Sequence, residues 1–102
     1  SRVYVCGVGE SELVVDFLVN RIENSIKLDA SVDRVAKYGL GGIFSEKLKS
    51  VALKEDVVIG VGINSNDKSL KEAFEIAKEL ECKSISITGV GGSEPYKCDL
   101  NI

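Results

Sequence analysis

The sequence predicts an α/β fold in which a five-stranded parallel sheet lies between two layers of helices. Short apolar or β-branched runs alternate with amphipathic helical patterns along the chain. The run at residues 56–63 (D-V-V-I-G-V-G-I) is almost continuously apolar, which is typical of a strand covered on both faces of a parallel sheet. Right-handed βαβ connections then favour a three-layer sandwich, for which we expect the strand order 2-1-3-4-5.

The first part of the chain predicts a strand, a glycine turn and a helix. Residues 2–6 (R-V-Y-V-C) form the strand, and residues 7–9 (G-V-G) form the turn. Ser11 is the predicted N-cap of the helix. The apolar residues of this helix, including Phe17, are expected to face the core; they are Leu13, Val14, Phe17, Leu18 and Ile22. Residues 26–28 predict a short second strand.

The rest of the chain continues the alternation. Residues 32–36 predict a helical turn or two stopped by Gly39, and residues 43–52 predict an amphipathic helix before the strand at 56–63. The next helix has apolar residues at i, i+3, i+4, i+7 and i+10 from Leu70, and Ser69 with Glu72 has the spacing of a capping box. Residues 84–88 and 99–102 predict the last two strands.

Composition limits the possible partners and chemistry. A chain of 102 residues is the usual size of one domain. Its 13 Lys and Arg against 16 Asp and Glu include no basic cluster, so neither nucleic acid nor a membrane is an expected partner. Zero His excludes imidazole as a base or metal ligand from this chain. The odd number of cysteines, three, predicts reduced thiols in a cytoplasmic protein. The apolar runs are too short to cross a membrane, which predicts a soluble protein. We expect neither metal nor cofactor.

Two glycine-containing turns are the candidate ligand site. In a doubly wound sheet the ligand binds beyond the carboxyl ends of the strands, where connections leave in opposite directions. The turns at 7–11 (G-V-G-E-S) and 62–67 (G-I-N-S-N-D) meet there in the expected strand order, each just before a helix. Backbone N–H groups at helix starts favour anions, although the glycines could simply form tight turns. The predicted substrate-binding residues are Gly7, Gly9, Ser11, Asn64, Ser65 and Asn66.

A dinucleotide-binding turn is one alternative for the first loop. Gly7 and Gly9 follow a strand, and Asp29 lies 20 residues beyond Gly9, which is the spacing of an acid that binds the ribose. However, Glu12 occupies the position of the third glycine of that motif, which weakens the hypothesis of a dinucleotide-binding turn.

Four passages in order along the chain give a more specific match. They are V-Y-V-C-G-V-G-E-S at 3–11, Y-G-L-G-G-I-F-S at 38–45, E-D-V-V-I-G-V-G-I-N-S-N-D at 55–67 and I-S-I-T-G-V-G-G at 85–92. The chain resembles the SIS (sugar isomerase) domain, especially the phosphoheptose (sedoheptulose 7-phosphate) isomerase group. The corresponding family passages contain G-N-G-G-S, N-D-[YF]-G-F followed by I-F-S, G-I-S-T-S-G-N-S and L-T-G-x-x-G-G. Residues 98–100 (C-D-L) fit the family's entry to its last strand.

The resemblance implies a sugar phosphate held by a Ser/Thr-rich turn and homo-oligomers, dimers or tetramers, with composite active sites. It also implies aldose–ketose isomerisation by a Glu and a His. The family's S-T-S-G-N-S falls on residues 62–67, where only Asn66 is identical, whereas Ser11 keeps the serine of the first turn. Glu10 and Asp67 add carboxylates at the two helix starts. A carboxylate about 5 Å from a phosphate repels it by a few kcal/mol at an effective dielectric near 20.

The catalytic groups of the family have no counterpart in this sequence. Its catalytic Glu falls near Asn20 or Arg21, its N-D pair falls on Ala36 and Lys37, and there is no His. We therefore leave the catalytic residues unassigned. We expect one SIS-like domain at 1–102 without the family's N- and C-terminal helices, and we expect a partner subunit to cover the apolar surface that these helices would cover. Two functions follow: a sugar-phosphate-binding domain, which is an isomerase if another segment or subunit supplies the acid and base, or a non-catalytic relative that serves in assembly or regulation.

Overall fold

The computed structural model describes residues 1–63, 67–89 and 95–102, apart from the side chain of Val32. Strands and helices alternate along the chain. They are β1 (Val3–Gly7), α1 (Ser11–Arg21), β2 (Ser25–Lys27), α2 (Val32–Val51), β3 (Val57–Gly62), α3 (Lys68–Glu79), β4 (Lys83–Thr88) and β5 (Leu100–Asn101).

All five strands are parallel and form one sheet in the order β2-β1-β3-β4-β5. This confirms the predicted fold class and strand order. β3 is central and pairs over its full length with β4, from Val57 opposite Lys83 to Gly62 opposite Thr88. Because every strand is parallel, the carboxyl ends of β1 and β3 lie side by side at one edge of the sheet.

Two hydrophobic clusters lie on opposite faces of the sheet. On one face, α2 and α3 cover β1 and β3 through a cluster that includes Tyr4, Phe44 and Phe74. On the other face, α1 packs Val15 against Val5, Ile59 and Val61. The helices after β1 and β3 thus leave the sheet on opposite faces, which places the predicted switch point between these two strands.

Helix α2 is two helical pieces joined at Gly39. Gly39 has φ 76° and ψ 164°, a conformation that is costly for residues with a Cβ atom and interrupts the helix. Ser31 caps the first piece by accepting a hydrogen bond from the Arg34 N–H at 3.4 Å. The predicted stop at Gly39 is therefore a kink, after which helix continues to Val51.

The prediction that Phe17 packs in the core is wrong. Phe17 is 54% exposed and Leu13 is 75% exposed, whereas Val15 is fully buried and Leu18 and Ile22 are partly buried. Helix α1 therefore faces the sheet with the stripe that contains Val15, and an apolar face formed by Leu13, Val14 and Phe17 faces outward.

Among the described residues, the helices offer no segment with the length and hydropathy required to cross a membrane.

Candidate functional site

The carboxyl ends of β1 and β3 bring the two candidate turns together. Gly7 is the last residue of β1 and lies opposite Val61 of β3. A Cβ atom at Gly7 would lie 2.8 Å from the Val61 carbonyl oxygen and 3.1 Å from the Ser11 Cβ. The absence of a side chain at Gly7 thus lets β1, β3 and the start of α1 approach each other closely.

The turn after β1 closes tightly onto α1. Gly9 has φ 61°, in the left-handed region that favours glycine. Ser11 is the first helical residue and is buried, with Glu10 before it as an N-cap that makes no side-chain capping bond. The prediction that Ser11 is the N-cap is therefore wrong, although Ser11 does lie beside Gly7 at the candidate site.

The first N–H groups of α1 already have partners within the turn. Ser11 N–H donates to the Val8 carbonyl at 3.2 Å, and Glu12 N–H donates to the Gly9 carbonyl at 3.1 Å. These bonds span three residues and are longer than typical backbone hydrogen bonds. An anion here would have to compete with them.

The acids in the first turns of α1 face β2. Lys27 Nζ lies 2.9 Å from Asp16 Oδ1 and 3.4 Å from Glu12 Oε1. The hydrogen bond that Lys27 donates to Asp16 is the largest cause of the raised pKa of Lys27. Lys27 therefore stays charged and pairs with the two carboxylates of α1 that are closest to the glycine turn.

The turn after β3 is described only at its two ends. The predicted site residues Asn64, Ser65 and Asn66 lie outside the described residues. Asp67 follows them as the N-cap of α3, where its Oδ1 accepts a hydrogen bond from Ser69 N–H at 2.9 Å and another from the Ser69 hydroxyl. The capping residue of α3 is therefore Asp67 rather than the predicted Ser69.

Tyr96 connects the region before β5 with the start of α3. Its hydroxyl oxygen accepts a hydrogen bond from the Asp67 N–H at 3.0 Å, and its ring lies 5.2 Å from that of Phe74. Tyr96 is buried, and burial raises its pKa. The first turn of α3 is thus fixed by a carboxylate on one side and a phenol on the other.

Cys6 lies beneath this region and stays protonated. Its thiol is fully buried and donates to the Ile59 carbonyl at 3.6 Å. Burial first, and then the charge of Asp67, raise the pKa of Cys6. Cys6 is a core residue, as predicted, and a thiol in this environment is a poor nucleophile.

At the opposite edge of the sheet, a cavity of about 490 Å³ lies near the amino-terminal end of β4. Lysine side chains and two cysteines, Cys82 and Cys98, contribute to its lining. Burial raises the pKa of Cys82, whose thiol donates to the Leu53 carbonyl at 3.4 Å. Because the cavity lies away from the carboxyl ends of the strands, it is separate from the candidate turns. Within the described ranges, no group of three or more His, Cys, Asp or Glu residues could hold a metal ion.

Sequence reasoning missed three features that the fold creates. They are the capping of α3 by Asp67 together with Tyr96, the buried carboxylate of Asp56, and the placement of Arg34 on the ring of Tyr38. The i, i+4 spacing of Arg34 and Tyr38 could have indicated the last of these.

Comparison with known proteins identifies the relatives of this fold. No family model matches the chain. The chain is 35% identical over 107 residues to a phosphoheptose isomerase of Helicobacter pylori, covering 91% of this chain and 56% of that protein. It is 33% identical over 116 residues to a phosphoheptose isomerase of Helicobacter hepaticus, covering 99% of this chain and 59% of that protein. The chain thus spans a little over half the length of these relatives.

Solved structures show the same fold. The structure of a phosphoheptose isomerase from Francisella tularensis aligns with a TM-score of 0.83 at 24% identity, covering 99% of this chain and 61% of that one. Phosphoheptose isomerase from Neisseria gonorrhoeae aligns with a TM-score of 0.75 at 20% identity, covering 91% of this chain and 55% of that one. The five parallel strands and their order match the fold of these solved structures, and the sequence similarity supports an SIS-like domain of the phosphoheptose isomerase type, divergent in sequence and matching part of the length of its relatives.

Proposed function

We propose that this chain binds a sugar phosphate where the turns after β1 and β3 meet. The similarity to phosphoheptose isomerases over nearly the whole chain carries this proposal. The close approach of Gly7 to Val61, with Ser11 buried beside it, supports it. The proposed contacts are the six residues predicted from the sequence: Gly7, Gly9, Ser11, Asn64, Ser65 and Asn66.

The reaction of the relatives' class, aldose–ketose interconversion of sedoheptulose 7-phosphate, would need a base that moves a proton between adjacent carbons. An effective base has a pKa near the working pH. The chain has no His, and the pKa values of Cys6 and Tyr96 beside the turns are raised, so that both stay protonated near neutral pH. We therefore propose that the acid and base come from outside this chain if the protein is an isomerase.

The second candidate function is a non-catalytic role in assembly or regulation. The specific observation that favours it is Asp67. Where the resemblance implies a hydroxyl that binds phosphate, this chain has a carboxylate that caps α3. A negative charge at this position opposes the binding of a dianion.

Replacing Asp67 with serine separates the two candidates. Serine caps helices about as well as aspartate, so Asp67→Ser should preserve α3 while removing the charge. We expect sedoheptulose 7-phosphate to bind Asp67→Ser roughly tenfold more tightly than it binds the original chain, because a carboxylate near a phosphate costs about 1–3 kcal/mol at an effective dielectric near 20. Isothermal titration calorimetry measures both affinities.

The matched control is Ser11→Ala, which removes the hydroxyl from the other turn and should weaken binding severalfold. Unphosphorylated sedoheptulose controls for binding of the sugar alone. Absence of heat at millimolar sugar phosphate with both the original chain and Asp67→Ser would contradict the sugar-phosphate function and leave the assembly role.

We further propose that the protein is a homo-oligomer. The outward face of α1 exposes Leu13 and Phe17, and on the same side of the sheet Ile85 and Ile87 of β4 are only half-buried. Apolar surface of this kind favours association. Sedimentation equilibrium should show a dimer or tetramer that Phe17→Ser dissociates, with Leu53→Ser, also an exposed apolar residue, as the control. A monomer at all concentrations would contradict this proposal.

We also propose a single domain over residues 1–102 and a cytoplasmic location. One sheet is shared by both hydrophobic clusters, which supports the single domain. Cys6, Cys82 and Cys98 are free thiols, and free thiols are typical of a reducing compartment.

A further inference from the structure

Arg34 lies in the first turn of α2, and its guanidinium is only partly satisfied. Helix α2 begins after the carboxyl end of β2, so Arg34 lies toward the edge of the sheet that carries the two candidate turns. Its Nη2 donates to the Ile43 carbonyl at 3.4 Å, which is a long hydrogen bond. Its Nε is buried without an acceptor in the part of the chain that the structure describes. Buried donors without a partner are rare in native proteins and indicate a role or a missing acceptor.

Tyr38 holds this guanidinium together with a second cation. The Arg34 Cζ lies 5.0 Å from the centroid of the Tyr38 ring, and Lys37 Nζ lies 5.2 Å from the same centroid. An arginine positioned on an aromatic ring loses little mobility when its N–H groups bind a ligand. Among residues 1–63, 67–89 and 95–102, neither cation forms a salt bridge with a carboxylate. Two positive charges on one ring therefore lack a counterion in the described structure.

Arg34 and Lys37 supply the positive charge that the turn after β3, residues 62–67, does not carry. Asp67 brings a negative charge to the start of α3, and its side chain occupies the Ser69 N–H. A guanidinium binds two oxygens of a phosphate in parallel, and a nearby ammonium adds charge without a geometric requirement. A phosphate monoester fits this pair better than a neutral sugar does, since a neutral sugar would leave both charges uncompensated.

We propose that Arg34, assisted by Lys37, binds the phosphate group of a phosphate monoester at this edge of the sheet. The inference rests on the proposed function, for which it names the residues that bind the anion. In this divergent chain the Arg34 N–H groups, rather than the backbone of the turn after β3, are then the principal hydrogen-bond donors to the phosphate.

The direct test follows the Arg34 side chain itself. The Nε–H group of each of the three arginines gives a cross-peak in an ¹⁵N–¹H spectrum, and Arg34→Gln assigns the one from Arg34. Titration of the original chain with inorganic phosphate, and separately with sedoheptulose 7-phosphate, should shift the Arg34 cross-peak, because an anion bound to the guanidinium changes the environment of its Nε–H group. Arg34→Gln should bind inorganic phosphate at least tenfold more weakly, and Arg34→Lys should lie between the two.

Arg21 provides the matched control. Its Cζ lies 4.6 Å from the ring of Phe17 on α1, on the opposite side of the sheet, so Arg21→Gln also removes a guanidinium from an aromatic ring. Arg21→Gln should leave phosphate affinity unchanged. Circular dichroism confirms that each variant is folded, and the cross-peak shift in the original chain tests the proposal even if a variant fails to fold.

The outcomes separate this inference from the proposed function. A stationary Arg34 cross-peak, or equal phosphate affinity in Arg34→Gln and Arg21→Gln, would overturn the inference even if the sugar phosphate binds elsewhere. If inorganic phosphate shifts Arg34 but sedoheptulose 7-phosphate binds no more tightly than inorganic phosphate, the anion site is supported and the sugar-phosphate function is contradicted.

Discussion

Gly7→Ala is expected to destabilise the protein by about 3 kcal/mol and to weaken sugar-phosphate binding at the same time. The new methyl group would lie 2.8 Å from the Val61 carbonyl oxygen, 3.0 Å from Val15 Cγ2 and 3.1 Å from Ser11 Cβ. The first of these atoms is backbone in the central strand, and Val15 is fully buried, so neither can move without disturbing the sheet or α1. The carboxyl end of β1 must therefore separate from β3, which also displaces Ser11.

Gly9→Ala is the matched control for this prediction. Gly9 has φ 61°, and in the part of the chain that the structure describes no atom lies within 4 Å of the position that a Cβ would occupy. Alanine there carries only the cost of the left-handed conformation, about 1 kcal/mol. Urea unfolding of both variants, followed by circular dichroism, measures the difference. Equal stability of the two variants would show that β1 and β3 can separate at Gly7 without penalty.

The sheet could be predicted because its signals are local and redundant. Each strand is a β-branched or apolar run followed by a turn, and the almost continuous apolar run of β3 indicated a strand covered on both faces of a parallel sheet. The strands in the structure begin or end within two residues of the predicted ranges. Parallel connections leave few alternative topologies, so the strand order followed.

The orientation of α1 could not be predicted because apolar residues surround most of the helix. Leu13, Val14 and Phe17 compete with Val15 and Leu18 for the side that faces the sheet. Packing against the sheet determines which side of α1 is buried, because Ser11 lies against Gly7 and this places Val15 over β1 and β3. A helix with a narrower apolar stripe, such as α3, was assigned correctly, with Ala73, Phe74 and Ala77 buried.

The capping of α3 was mispredicted because two competing residues lie two positions apart. Ser69 has the capping-box spacing with Glu72. However, Asp67 caps the helix, because its carboxylate accepts hydrogen bonds from the backbone N–H and the hydroxyl of Ser69. Tyr96 supplies the second constraint from 29 residues away, and no local pattern indicates such a contact. The candidate site therefore follows from sequence in its location at the ends of β1 and β3, whereas its electrostatics depend on tertiary contacts.

Asp56→Asn is expected to destabilise the protein by about 2–4 kcal/mol at neutral pH. Asp56 is only 4% exposed, and its two carboxylate oxygens accept separate hydrogen bonds, from Arg2 N–H at 3.0 Å and from Leu53 N–H at 2.9 Å. These bonds tie the start of β1 to the loop between α2 and β3. An asparagine can accept only one of them, because its NH₂ group would face the second donor.

The effect of this substitution should depend on pH. Burial alone would raise the pKa of Asp56, but the hydrogen bonds from Leu53 and Arg2, together with the positive charges of the amino terminus and of Arg2, outweigh it, so the pKa in the folded protein lies below its usual value. The ionised carboxylate therefore stabilises the fold fully above the unfolded-state pKa of about 4, and this contribution is lost as the pH falls through the lower folded-state value. Urea unfolding at pH 7 and near pH 3 measures the free energy of unfolding of the original chain and of Asp56→Asn, and the difference between the two should be smaller at the lower pH. The control is Asp29→Asn, at an exposed acid after β2, which should leave the free energy of unfolding nearly unchanged at both pH values. If Asp56→Asn destabilises the protein equally at both pH values, the charge of Asp56 contributes nothing to stability.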